Sequence, residues 1–267
     1  MSAADMFWAA PPIARTITAA AVLLSVPGWT GLISLGNFLF FPPLIFTVTR
    51  LPQLWRLATA FLITGPKLSM IMDPYLLYSY CSTLETTVAR FSQPGDFFMY
   101  LIFVCSIILA TGGWYLGAGM LMSPLIMALG YTQSQEHPNA QVSYFIITFR
   151  SKYLPLAMLA STFVMASPQA ALLQCTGLVA AHAYEFATNI WPEYGGGRPL
   201  LATPSFVRGW FAAAPRTGVQ RGAGTAYQAG RTGGGGSGPA PSRQAGGWTS
   251  GFSGGPWGGR GPGRRLG

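Results

Sequence analysis

Apolar stretches alternate with short polar ones along the chain as far as Pro192. A helix rising 1.5 Å per residue needs about 20 mostly apolar residues to cross a bilayer core of roughly 30 Å. Six segments approach that length: Thr16 to Leu35, broken by Pro27-Gly28; Leu68 to Val88; Asp96 to Leu116; Gly119 to Thr132; Tyr153 to Ser167; and Gln169 to Ile190. The fourth and fifth are short, so they borrow flanking residues or sit where the bilayer is thin. The pattern predicts an all-α membrane protein with six transmembrane helices.

Between the first two segments, Gly36 to Pro66 is apolar at Phe38-Leu39-Phe40-Phe41 and Leu44-Ile45-Phe46 but interrupted by Pro42, Pro43 and Pro52. Proline removes a backbone donor and breaks a helix interior, so this linker is expected to lie along the membrane interface. After Trp191-Pro192 come Gly195-Gly196-Gly197 and a short piece, Leu200 to Phe211. From Ala212 onward Gly, Arg, Ser and Pro predominate, and such a segment buries too little apolar surface to offset its chain entropy. The reading is a membrane domain, residues 1–211, and a disordered Gly/Arg-rich tail, residues 212–267.

Composition agrees. Hydrophobic residues make up 50% of the 267 and charged ones only 9%, against roughly a quarter charged in soluble domains. The net charge of +9 suggests nucleic acid until it is located along the chain. Arg15, Arg50, Arg56, Lys67, Arg90, Arg150 and Lys152 nearly balance Asp5, Asp73, Glu85, Asp96, Glu136 and Glu185. The excess is the set of arginines beyond Pro192, facing Glu193 alone. An even number of spans puts both termini on one side with Arg15, Arg90, Arg150, Lys152 and the basic tail, and the positive-inside rule makes that side cytosolic. Arg50, Arg56 and Lys67 are left to the opposite face, where long side chains snorkel toward headgroups.

Cys81, Cys105 and Cys175 lie far apart in apolar sequence without a Cys-x-x-Cys or Cys/His pattern, so buried thiols are expected and no metal or other cofactor is implied. The first apolar segment has no small-x-small cleavage site and reads as an uncleaved signal-anchor.

Several strings occur in the order found in one family. Pro11-Pro12-Ile13-Ala14-Arg15 precedes the first helix; Gln53-Leu54-Trp55-Arg56-Leu57 and Gly65-Pro66 occupy the linker; Tyr80-Cys81-Ser82-Thr83-Leu84-Glu85 ends the second helix. Gly196-Gly197-Arg198 and Thr203-Pro204-Ser205 follow the last. Together, over about residues 11 to 211, they resemble the Derlins. The resemblance implies a rhomboid-like six-helix fold without protease activity in the endoplasmic-reticulum membrane. It further implies binding of misfolded client proteins, help in their retrotranslocation for ubiquitin-dependent degradation, and work beside a membrane ubiquitin ligase complex, alone or as a homo- or hetero-oligomer.

Rhomboid proteases use a Ser on the fourth helix and a His on the sixth, and Ser123 and His182 supply those residue types. Their settings differ from the protease pattern. Ser123 stands in Leu121-Met122-Ser123-Pro124 rather than Gly-x-Ser-Gly, and Pro124 offers no N–H to an oxyanion hole. The protease His precedes a Gly-x-x-x-Gly by three residues, a place taken here by Gln174. His182 lies eight residues beyond it, about 12 Å along a helix. A non-catalytic protein is expected, with an active intramembrane serine protease as the alternative.

Gly177 and Ala181 form a small-x-x-x-small pair suited to close helix packing. His182 and Glu185 share a helix face, either bonding each other or lining a hydrated client groove with Ser123, Gln174, Ser79, Ser82, Glu85 and Gln133. Asp73, followed by Pro74, reads as a residue near a wet or kinked helix end. Trp55 and Arg56 read as an interfacial anchor, indole at headgroup depth and guanidinium on phosphate; the resemblance adds that this linker supports the family's function. In the tail, Gly261-Pro262-Gly263-Arg264-Arg265-Leu266-Gly267 resembles the SHP box, which recruits a hexameric AAA ATPase of the valosin-containing protein type. Gly259 stands in the aromatic's place, with Trp257 two residues before it, and Pro262 removes a donor from a docked strand. RNA binding through Arg-Gly pairs with Trp248, Phe252 and Trp257 is a second reading of the tail, and attraction to anionic lipid a third.

Overall fold

The long apolar segments fold as helices. In the computed structural model, residues 3–45, 53–91, 94–144 and 147–195 are described, together with 204, 207 and 209, and all fall within one unit, Met1–Gly218. The tail motif, residues 261–267, and the glycines at 196–197 lie outside the described residues.

A short α1, Ala3–Ala9, leads into α2, Pro12–Trp29, whose first turn begins with Pro12, where a missing N–H costs nothing. Two linker helices follow, α3, Pro42–Ile45, and α4, Trp55–Thr59. Then come α5, Ser69–Thr87; α6, Pro94–Ile108, continued by a π-helical stretch Leu109–Tyr115; α7, Met122–Glu136; α8, Leu154–Met165; and α9, Pro168–Glu185. A second π-helical stretch, Phe186–Ile190, joins α9 to α10, Trp191–Gly195. The six expected helices therefore appear at their places, with ends displaced by a few residues.

The all-α expectation needs one correction. Strands β1, Gln141–Tyr144, and β2, Ile147–Arg150, pair antiparallel between α7 and α8, with Val142 opposite Phe149 and Ser143 opposite Thr148. Their β-branched and aromatic residues favour the pleated conformation, and Ser143 Oγ lies 2.9 Å from Thr148 Oγ1 across the pair.

Among the described residues one helix is long and apolar enough to cross a membrane, Gly95–Tyr115, 21 residues at a mean hydropathy of 2.0. At 15 and 12 residues, α7 and α8 reach only about 22 and 18 Å. They differ in setting. Residues 124–130 of α7 are buried throughout, whereas α8 exposes Leu156, Phe163 and Val164.

Helix α7 is the centre of the packing, with α5, α6, α8 and α9 around it. Tyr100 of α6 reaches it through Oη, 2.8 Å from Thr132 Oγ1. The α7–α9 approach is tightest at Gly177, where an added Cβ would lie 1.9 Å from the Pro124 carbonyl oxygen. Ala181, one turn on, is also buried. Pro124 beside Gly177 and Tyr131 beside His182 show that α7 and α9 run parallel.

Candidate functional site

The linker is held by its own polar groups. Arg56 is only 3% exposed; its Nη1 donates to Gly36 O at 2.6 Å and Leu39 O at 2.8 Å, and its Nε donates to Gln53 Oε1. The expected reach of this guanidinium to lipid phosphate is therefore corrected: carbonyls left without helical partners in a broken chain need donors, and the buried Arg56 supplies them. Trp55 is 52% exposed and donates from Nε1 to Asn37 O at 3.3 Å. Thr59 Oγ1 donates to Phe38 O, while Phe40 N–H donates to Gly119 O and Leu121 N–H to Ala60 O. These bonds tie the linker to the turn that starts α7, and so set the position of Ser123 in its first turn.

The far end of the linker is pinned to α2. Ser25 Oγ donates to Leu62 O and accepts from Thr64 N–H, each at 3.0 Å, and Trp29 Nε1 donates to Thr64 O. Asp73 of α5 turns back to accept the Gly65 N–H at 3.1 Å. Lys67, in the tight turn between, adopts φ 59°.

A cavity of about 440 Å³ opens beside this turn, between the start of α5, the start of α7, α8 and the first half of α9. Ser123 and Gln174 both line it, with Asp73, Ser69, Ser161 and Thr162. Gln174 is 4% exposed and its Oε1 has no hydrogen-bond partner among the described residues. The hairpin contributes Tyr144, whose Oη lies 3.0 Å from Ser161 Oγ. Burial raises the Tyr144 phenol above its ordinary value, so it stays neutral and able to donate.

The remaining polar residues lie elsewhere. His182 Nδ1 is 3.0 Å from Tyr131 Oη, near the C-terminal ends of α7 and α9. Glu185 accepts from Arg90 Nη2 at 2.7 Å and from Asn189, and the same Arg90 nitrogen is 2.6 Å from Glu136. His182 and Glu185 thus turn to different partners, the carboxylate to the permanent cation of Arg90, a strong charge-assisted donor. Glu85 caps α2, accepting from Ile13 N–H at 3.2 Å and Ala14 N–H at 2.9 Å. Of the residues expected to share one groove, the fold brings Ser123 and Gln174 together and places His182, Glu185 and Glu85 outside it. Asp73 was expected at a wet helix end; its place in this cavity follows from the turn at Gly65, which has no periodic signal in the sequence.

The Ser123–His182 pair is not assembled. His182 stands beside Tyr131, eight residues beyond Ser123 on the same helix, about 12 Å along its axis. The residue in the place of the protease histidine, Gln174, lines the same cavity as Ser123 and is an amide with no basic site at neutral pH. Cys81 is buried, Cys105 and Cys175 are half-buried, and all are free thiols. Among the described residues no cluster of three His, Cys, Asp or Glu is placed to hold a metal.

Comparison with known proteins agrees with the linker and α5 strings. The profile of the Der1-like family matches residues 10–205. Derlin-2.2 of Arabidopsis thaliana is 31% identical over 217 residues, covering 77% of this chain and 86% of its own length. Derlin-1 of Homo sapiens is 32% identical over 211 residues, covering 77% and 81%. Derlin-2.1 of Zea mays is 30% identical over 214 residues, covering 76% and 83%. A match extending through the linker, the α7–α9 contact and the segment after the last helix makes this chain a member of the Der1-like family, the Derlins of endoplasmic-reticulum-associated degradation.

Proposed function

We propose that the protein is a non-catalytic, multi-pass factor of the endoplasmic-reticulum membrane that binds misfolded proteins and assists their retrotranslocation to the cytosol. Six spans, with both termini cytosolic, form a rhomboid-like membrane domain over residues 1–211. The cavity beside Ser123 and Gln174 serves as the client site, and under this topology it lies toward the lumenal ends of α5 and α7. Gly261, Gly263, Arg264, Arg265, Leu266 and Gly267 recruit a AAA ATPase of the valosin-containing protein type, which supplies the work of extraction. A membrane ubiquitin ligase complex is the expected neighbour.

The observation that carries this reading is the buried Gln174 amide oxygen, without a hydrogen-bond partner among the described residues, in a cavity that also presents Asp73, Ser123 and Ser161 in a Derlin-family helical body. Leaving such a group unsatisfied costs about 1–3 kcal/mol, which is accounted for when a client fills the site. Trp55 at the exposed face of the linker sets the body's depth in the membrane, and Arg56 holds the linker in shape.

The test is turnover of a misfolded membrane client in cells lacking the protein, restored by the full chain or by a chain lacking residues 261–267. The full chain restores degradation and co-purifies with the ATPase; the truncated chain does neither. Restoration by both removes the tail assignment and turns attention to RNA binding, which is recognised by its steep loss with salt. The protease alternative is tested with a rhomboid reporter substrate: the purified protein leaves it intact, and cleavage that disappears in Ser123→Ala overturns the non-catalytic reading.

A further inference from the structure

Two acceptors carried by different helices line the cavity. Gln174 of α9 brings an amide oxygen that is more than nine-tenths buried and has no partner among the described residues. Asp73 of α5 brings a carboxylate that has accepted one backbone N–H, from Gly65, and forms no ion pair among the described residues, although Lys67 lies on the same wall. Ser123 and Ser161 line it as well, and Met72, Met122 and Met158 are part of its apolar surface. Methionine is unbranched and flexible, so such a surface adapts to chains of differing shape.

A purely apolar segment entering this space would leave the buried Gln174 oxygen uncompensated and desolvate Asp73 besides. A side chain bearing several N–H donors satisfies both. An arginine or lysine inside a membrane span has the complementary need, since a cation in hydrocarbon costs several kcal/mol and finds relief only in a partner or water.

We infer that the cavity selects client membrane segments carrying a buried basic side chain, whose ammonium or guanidinium donates to Asp73 and the Gln174 amide oxygen. This deepens the proposed client-binding role and rests on it. The occupant is a basic residue of a misfolded transmembrane segment, seated between α5 and α9 with its aliphatic stem along the methionines. Arginine fits best, because its planar fork presents several donors at once to two separated acceptors.

The test uses the full-length protein in microsomes with two otherwise identical single-span clients, one with Arg and one with Leu at mid-span, each bearing a photo-crosslinker beside that position. The Arg client crosslinks to the protein about tenfold more than the Leu client, as expected for one or two hydrogen bonds to charged groups. In Gln174→Met and Asp73→Asn the preference for the Arg client over the Leu client falls severalfold, and in the double variant it disappears. An unchanged size-exclusion profile in detergent shows that the variants are folded; Gln174→Asn, which keeps the amide oxygen, and Asp73→Glu, which keeps the charge, retain part of the preference. Equal crosslinking of both clients to the unaltered protein, or an Arg preference that survives the double variant, overturns the inference. Client turnover in the same cells separates the two levels: degradation without an Arg preference removes this inference alone, whereas crosslinking without any protein-dependent degradation removes the client-handling role beneath it.

Discussion

Gly177 of α9 meets the backbone of Pro124 in α7 so closely that no side chain fits between them. An added Cβ would sit 1.9 Å from the Pro124 oxygen and 2.7 Å from its carbonyl carbon, and backbone atoms in a helix cannot swing aside as a side-chain tip does. Gly177→Ala is therefore expected to destabilise by about 1–3 kcal/mol, and Gly177→Leu to prevent folding. Thermal unfolding of the detergent-solubilised protein, followed by size-exclusion chromatography, reads both. Ala181→Gly at the next turn creates no clash and should cost no more than about 1 kcal/mol.

Adjacent linker residues should separate by role. Arg56→Ala leaves the carbonyls of Gly36 and Leu39 without their donor in a buried site, and should cost about 3 kcal/mol. Arg56→Lys should recover only part, since an ammonium cannot span the same fork of acceptors. Trp55→Ala, at a half-exposed position, should move the melting temperature little while reducing membrane association of the linker. Melting and limited proteolysis of the linker, compared across the three variants, distinguish these outcomes.

Arg90 joins three elements through one nitrogen. Its Nη2 contacts Glu136 at the end of α7 and Glu185 at the end of α9, while its guanidinium lies 5.3 Å over the Phe91 ring. The three side chains are 18–25% exposed, so neither the surface nor the fully buried estimate applies, and Arg90→Met should cost about 1–3 kcal/mol. Replacing the carboxylates in turn should show strong coupling to Arg90 in a double-mutant cycle on unfolding.

Glu85 sits near the end of α5 yet caps the beginning of α2. Glu85→Ala removes the acceptor for the Ile13 and Ala14 N–H groups and should cost about 1–2 kcal/mol. Glu85→Gln keeps one oxygen and should lose less. Hydrogen exchange at the first turn of α2 measures the effect locally.

A binding site built around an unsatisfied group carries a stability cost. Gln174→Met replaces a buried amide of similar length with an apolar chain, and should raise the melting temperature while reducing client degradation. A variant that is more stable and fully active would show that Gln174 takes no part in client handling.

The helical body was legible before any coordinates. Periods of apolar residues locate every long helix to within a few positions, because a continuous apolar run is recorded locally and has few alternatives. The hairpin between α7 and α8 was not legible in the same way: eight strand residues carry a weak alternation, and their pairing depends on the chain turning between two helices.

Among polar residues the division is sharper. The sequence by itself determined that Gly177 would be a packing position and that the linker would be broken, since a missing side chain and a missing N–H act at the residue that carries them. Helical spacing also placed His182 and Glu185 on one face. Only the tertiary structure decided which partner each would meet. Arg90 drew Glu185 away from His182, the linker's carbonyls drew Arg56 inward, and the turn at Gly65 brought Asp73 to the cavity that Gln174 lines from another helix. Hydrogen bonds and ion pairs form between groups a few ångströms apart in space, and for residues separated by a hundred positions that distance is written in the packing of helices, not in local order along the chain.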